Sequence, residues 1–176
     1  MKNNLLIWQV AGLTFTAVLG TILHFLYEWT NVLFLAPISA VNESTWEHMK
    51  LVFIPSFIFG IIQSFVGKRE YKSFWFIKLI GALVGTLLIP ILFYTLTGAF
   101  GTLSGTVNIL IFFVSVILEY LIEFILFNKL KLRFSLNIVC LAILLIILAL
   151  FLFYTFYPPK LPLFLDPLTN GYGITK

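Results

Sequence analysis

Charge is scarce in this 176-residue chain, where 11 basic and 7 acidic residues make up only 10% of the sequence. Ordinary soluble domains carry roughly a quarter charged residues. Hydrophobic residues reach 61% and the mean hydropathy is +1.07. A soluble fold of this length cannot hide that much apolar surface, so lipid is the expected solvent. The single Cys140 excludes an internal disulfide and a thiolate metal knuckle. It reads as a small buried hydrophobe. The net charge of +4 is too thin and dispersed for a nucleic-acid-binding patch, so no nucleic-acid partner is expected. Alternating apolar and polar positions are also missing, which argues against a membrane β-barrel.

What is present are long apolar runs. Five segments can each cross a ~30 Å hydrocarbon core as a helix: residues 5–27, 49–66, 74–97, 107–127 and 136–157. The expected fold is therefore an all-α, polytopic membrane helix bundle forming one domain, with an extramembrane tail over 158–176. The apolar part of the first segment is longer than a signal-peptide core, and no A-x-A site follows it. It is read as an uncleaved span. Pro55 removes one backbone bond from the second span and predicts a kink there.

The connections predict orientation. Lys2, then Lys68, Arg69 and Lys72, then Lys129, Lys131 and Arg133 all fall on one side of a five-span arrangement. Basic connections stay in the cytosol, so the N-terminus is expected inside and the C-terminus outside. Within span three, Gly81 and Gly85 form a small-xxx-small face suited to close helix packing.

The few polar residues gather in two places. The first is at the outer face. His24 and Glu28 lie one turn apart near the end of span one. NESTWEH opens the second helix and brings Asn42, Glu43, Trp46, Glu47 and His48 to the same depth. Ser44 and Glu47 have the spacing of a capping box, and acids suit the positive end of a helix dipole. Between the two spans, NVLFLAPISAV is apolar but too short to cross, and reads as a re-entrant or interfacial segment bent at Pro37. An outer pocket is expected here. Its imidazoles and carboxylates, with His24, His48 and Glu47 as the ligand set, could hold a divalent metal, or act as acid and base without one. Structural capping with polar packing is the competing reading, because HxxxE and ExxxEH match no established metal signature.

The tail, YPPKLPLFLDPLTNGYGITK, interleaves prolines with large apolar residues and ends in turn signals. It is expected to fold over the outer mouth with Asp166 or Tyr172 near the pocket, with a loose interfacial tail as the competing reading. The second polar place is inside the membrane. Glu119 and Glu123 share a face of span four, and Lys78 lies at the depth of Glu123, which predicts a Lys78–Glu123 pair. Glu119 is expected to be neutral or to meet Gln63.

The blocks HFLYEW, PISAVNESTWEHMKL and PPKLPLFLDPLTNGYGI, in this order along the chain, resemble a group of small bacterial integral-membrane proteins of unknown function. The resemblance implies no activity. It does imply that His24, Glu28, Asn42, Glu43, Trp46, Glu47, His48 and Asp166 lie in the family's recognisable blocks. Three functions remain open on the sequence: a non-catalytic module binding a small molecule, lipid headgroup or protein partner; a membrane enzyme with an outer His/Glu site; and a transporter linking the outer cluster to Glu119 and Glu123.

Overall fold

A computed structural model describes residues 2–66, 73–130 and 136–174. Five helices carry the fold: α1 (Lys2–Thr30), α2 (Thr45–Val66), α3 (Phe74–Phe100), α4 (Gly105–Lys129) and α5 (Asn137–Phe156). All five are long and apolar enough to cross a membrane. Among the described residues there is no strand, only one isolated bridge between Leu165 and Tyr172. The basic positions Lys68, Arg69, Lys72, Lys131 and Arg133 lie outside the described residues.

Helix ends differ from the expected spans where glycine and serine set them. The gap between the expected spans 74–97 and 107–127 shortens to residues 101–104. Gly98 continues α3, and Gly101, at φ +82°, stops it. That left-handed conformation suits glycine, which has no Cβ to clash. Ser104 then starts α4 by accepting a bond from the Val107 amide at 3.4 Å. Pro55 lies inside an unbroken α2, where it leaves the Leu51 carbonyl without its usual amide partner. Gly20 of α1 faces that carbonyl, and a Cβ there would lie 2.7 Å from it. The proline and the glycine therefore meet at one close α1–α2 approach.

The second helix is the most enclosed of the five and α5 the least. Helices α1, α2, α3 and α4 pack around a shared core that includes Leu51, Val52, Phe53, Ala82, Val116 and Tyr120. Helix α5 adds on beside α2 and α3, contributing Leu144 and Phe151. The face α5 turns away from them is apolar, with Ile138, Val139, Leu145 and Ile146 exposed. Such a face is stable against lipid and unfavourable against water.

The segment between α1 and α2 does not cross. A 3₁₀ turn at Leu33–Leu35 buries none of its own residues, and Phe34 is 87% exposed. The chain then turns back, and the Ala40 amide donates to the Leu23 carbonyl at 3.1 Å. Leu23 lies seven residues before the end of α1, roughly 10 Å along its axis. This return sets the start of α2 level with His24 rather than with the tip of α1.

Candidate functional site

Glu43 stands at the point of a short turn. The Ser44 amide donates to Asn42 Oδ1 at 2.9 Å, and Ser44 Oγ in turn accepts from the Glu47 amide at 3.4 Å. These bonds hold Glu43 out between α1 and α2, facing both imidazoles. Its carboxylate oxygens lie 3.8 Å from His24 Nε2 and 3.5 Å from His48 Nε2. The two rings are 5.3 Å apart between centroids. One ligand atom from each of His24, Glu43 and His48 falls within 4.8 Å of the others, a spacing compatible with one metal ion.

The tautomer of His48 follows from its neighbour. Its Nδ1 is 3.0 Å from the Ser44 carbonyl, which can only accept. Nδ1 therefore carries the proton, and in a neutral ring Nε2 is a lone pair. That lone pair faces the Glu43 carboxylate, also an acceptor. Two acceptors face one another across 3.5 Å and call for a positive charge between them. A proton on an imidazole supplies one, and a divalent cation supplies another. A histidine fixed through Nδ1–H to a backbone carbonyl, with Nε2 free, is the usual arrangement of a metal-ligating imidazole.

Glu47 lies on the other side of α2, away from this group. It is 2% exposed and its Oε2 takes a 2.6 Å ion pair from Lys50 and a 3.1 Å bond from the Val41 amide. The carboxylate beside the imidazoles is therefore Glu43, in place of Glu47 in the ligand set expected from the sequence. The capping box is half formed for the same reason: Ser44 accepts as expected, but Glu47 reaches Val41 rather than its own cap. Lys50 was missed from the sequence. Its ammonium spends its three donors on Glu47, on the Ala36 carbonyl at 3.1 Å and on Thr155 Oγ1 at 2.9 Å. This tie fastens the return segment, α2 and α5 together. The signal for it was a lysine three residues after a glutamate in an otherwise apolar run.

The other residues of the expected outer group shape the site rather than face it. Asn42 Nδ2 donates to the Gly173 carbonyl at 2.7 Å and so holds the tail. Trp46 stacks near Phe151 and Phe164, at 4.5 and 4.6 Å between centroids, with Tyr154 closing the group. Asp166 organises the tail's turn by accepting from the Leu168 amide and the Thr169 hydroxyl. Glu28 stays exposed on α1.

The tail folds back across this end of the bundle, and Pro167 and Leu168 form part of a cleft of about 230 Å³. Glu43 and His48 stand at one wall of it, and Ile89, Phe93, Ile111 and Phe112 make it largely apolar. Asn108 also lines it and keeps a buried Oδ1 with no hydrogen-bond partner among the described residues.

The intramembrane group assembles partly as expected. Lys78 Nζ and Glu123 Oε2 are 2.6 Å apart. Glu119 bonds to the Ser56 hydroxyl of α2. Gln63 lies seven residues further along α2 than Ser56, roughly 10 Å, and its Oε1 is buried without a partner among the described residues. Gly81 and Gly85 are the seats of the two carboxylates: a Cβ on either would lie 2.5 Å from Glu123 or 2.6 Å from Glu119. The small-xxx-small face thus makes room for the carboxyl side chains of α4 and not for a bare backbone.

A family described only as one of unknown function (DUF6512) matches residues 1–174. No curated protein and no solved structure matches the chain. With its five membrane-length helices and this match over almost every residue, the chain belongs to the DUF6512 family, whose function is unknown.

Proposed function

We propose that this protein is a multi-pass protein of a bacterial cytoplasmic membrane that binds a divalent metal, and through it an amphipathic ligand, at its non-cytosolic end. His24, Glu43 and His48 are the metal ligands. The cleft beside them takes the apolar part of the ligand, and the metal and Asn108 take its polar head. The observation that carries this reading is the meeting of the His48 Nε2 lone pair with the Glu43 carboxylate beside a largely apolar cleft. Three protein donors leave a fourth position for the ligand.

The test is metal content after loading with Zn²⁺ and gel filtration. About one zinc per chain is expected for the wild type. His24→Ala and His48→Ala should each lose it, while Glu28→Gln should keep it. A wild type that retains no zinc, or a histidine variant that retains as much as wild type, overturns the metal reading.

A second reading is a metal-dependent membrane enzyme. It is favoured by that same open position, since catalytic zinc sites keep one and structural sites close it. No nucleophile–histidine pair accompanies the cluster among the described residues, so any such chemistry would run through the metal and Glu43.

A further inference from the structure

The proposed pocket makes no use of the polar group in the middle of the bundle. Glu119 lies seven residues along α4 from Phe112, the nearest residue of that helix to line the cleft, roughly 10 Å away. Glu119 and Glu123 are 0% exposed and Lys78 is 3% exposed. Fully ionised, the three would carry a net charge of −1 in a lipid-surrounded core. A single uncompensated carboxylate in such a medium costs several kcal/mol, so the group must gain one positive charge.

Geometry decides where. Lys78 gives its short bond to Glu123, and its ammonium lies 5.2 Å from the Tyr120 ring and 5.6 Å from the Phe59 ring. Both ring faces favour a cation, which makes Glu123 the counter-ion of the Lys78 ammonium. Among the described residues Glu119 has no basic partner. From α2 it meets the Ser56 hydroxyl, and from α3 it meets Gly85. Its own helix supplies Glu123 one turn on, and Tyr120, whose hydroxyl is 2.8 Å from Thr16 of α1.

Among the described residues the surroundings are also short of hydrogen-bond partners. Glu119 Oε2 and Glu123 Oε1 have none, nor do both polar atoms of Gln9, 4% exposed, on α1. Ser115, one turn before Glu119 and 0% exposed, has an unpartnered hydroxyl as well. Buried polar atoms of this number are rarely left unmet unless a bound species meets them.

We propose that Glu119, Glu123 and Lys78 form an intramembrane proton-binding site, in which Glu119 carries the proton and Lys78–Glu123 remains the ion pair. The glycines at 81 and 85 admit both carboxylates against α3, which leaves the smallest cation as the natural occupant. The proton neutralises the group, and its O–H gives the Ser56 oxygen or Glu123 a donor.

Infrared spectroscopy of the full chain in detergent at pH 7 tests this directly. A protonated-carboxyl C=O band that shifts in D₂O is expected in the wild type and in Glu28→Gln, and its loss is expected in Glu119→Gln. Ser56→Ala should shift the band without abolishing it. Stability gives a second readout. A folded chain holding a proton that the unfolded chain releases has an unfolding constant that rises with pH, by up to about tenfold per unit for one proton. Glu119→Gln should flatten that slope. No carboxylic band in the wild type, a band that survives Glu119→Gln, or a band unmoved by Ser56→Ala overturns the proposal. Stabilisation by Na⁺ over choline at equal ionic strength also overturns it, in favour of a metal cation.

Discussion

Lys50 and Lys78 are both buried among apolar side chains, and each is neutralised by one glutamate at 2.6 Å. Lys50 is the better satisfied, because a backbone carbonyl and a threonine hydroxyl take its remaining donors. Replacing it by methionine leaves Glu47 buried with only the Val41 amide. Breaking a buried pair from one side costs about 3–5 kcal/mol, whereas removing both charges is often neutral. Lys50→Met should therefore lower stability by that amount in reversible SDS unfolding, and Lys50→Met with Glu47→Leu should recover much of it. Equal losses in the single and double variants would show that the pair does not hold the return segment. The residue types of this tie were visible in the sequence, but their pairing was not. Glu47 stood beside His48 in the chain, yet adjacent helix residues point about 100° apart, and only the packing showed which faced the cleft.

At the scale of elements, the tail is held to the bundle in part by the aromatic packing of Phe164. Phe164 is 5% exposed and packs against Trp46 and Tyr154, at 4.6 and 5.5 Å between centroids. Lys160, four residues earlier, is exposed. Truncating a well-packed phenylalanine to alanine typically costs about 3–5 kcal/mol. Phe164→Ala should release the tail locally and raise the rate of tryptic cutting after Lys160 by tenfold or more, with the helices still folded by circular dichroism. An unchanged rate would mean that Asn42 and the turn around Asp166 hold the tail by themselves. The prolines and the Asn-Gly turn were enough to anticipate a folded tail over this end. They did not show that Asp166 would be spent inside the turn, because its partners Leu168 and Thr169 are local and compete with any ligand. The return segment was likewise legible in outline. Its length excludes a crossing, while the Ala40–Leu23 bond that sets its depth is a tertiary contact.

For the whole molecule, the expected orientation rests on basic connections. A reporter enzyme active only outside the cytosol should give full signal when fused after residue 174 and none when fused after residue 70. The reverse pattern would put the His24 cluster in the cytosol and remove the premise of a non-cytosolic ligand. Five spans could be counted from hydropathy because a helix in lipid must satisfy its backbone within a run of about 20 apolar residues. The helix count, the all-α class and the existence of two polar groups were thus written in one dimension, by composition and run length. Tertiary structure alone decided which polar residues meet. It set Glu43 rather than Glu47 against the imidazoles, and Ser56 rather than Gln63 against Glu119. The physical reason is that lipid selects helices by their length and mean hydropathy, whereas a contact depends on the rotation and depth of each helix. Those are fixed by distant details such as the Gly81 and Gly85 seats and the close approach at Gly20.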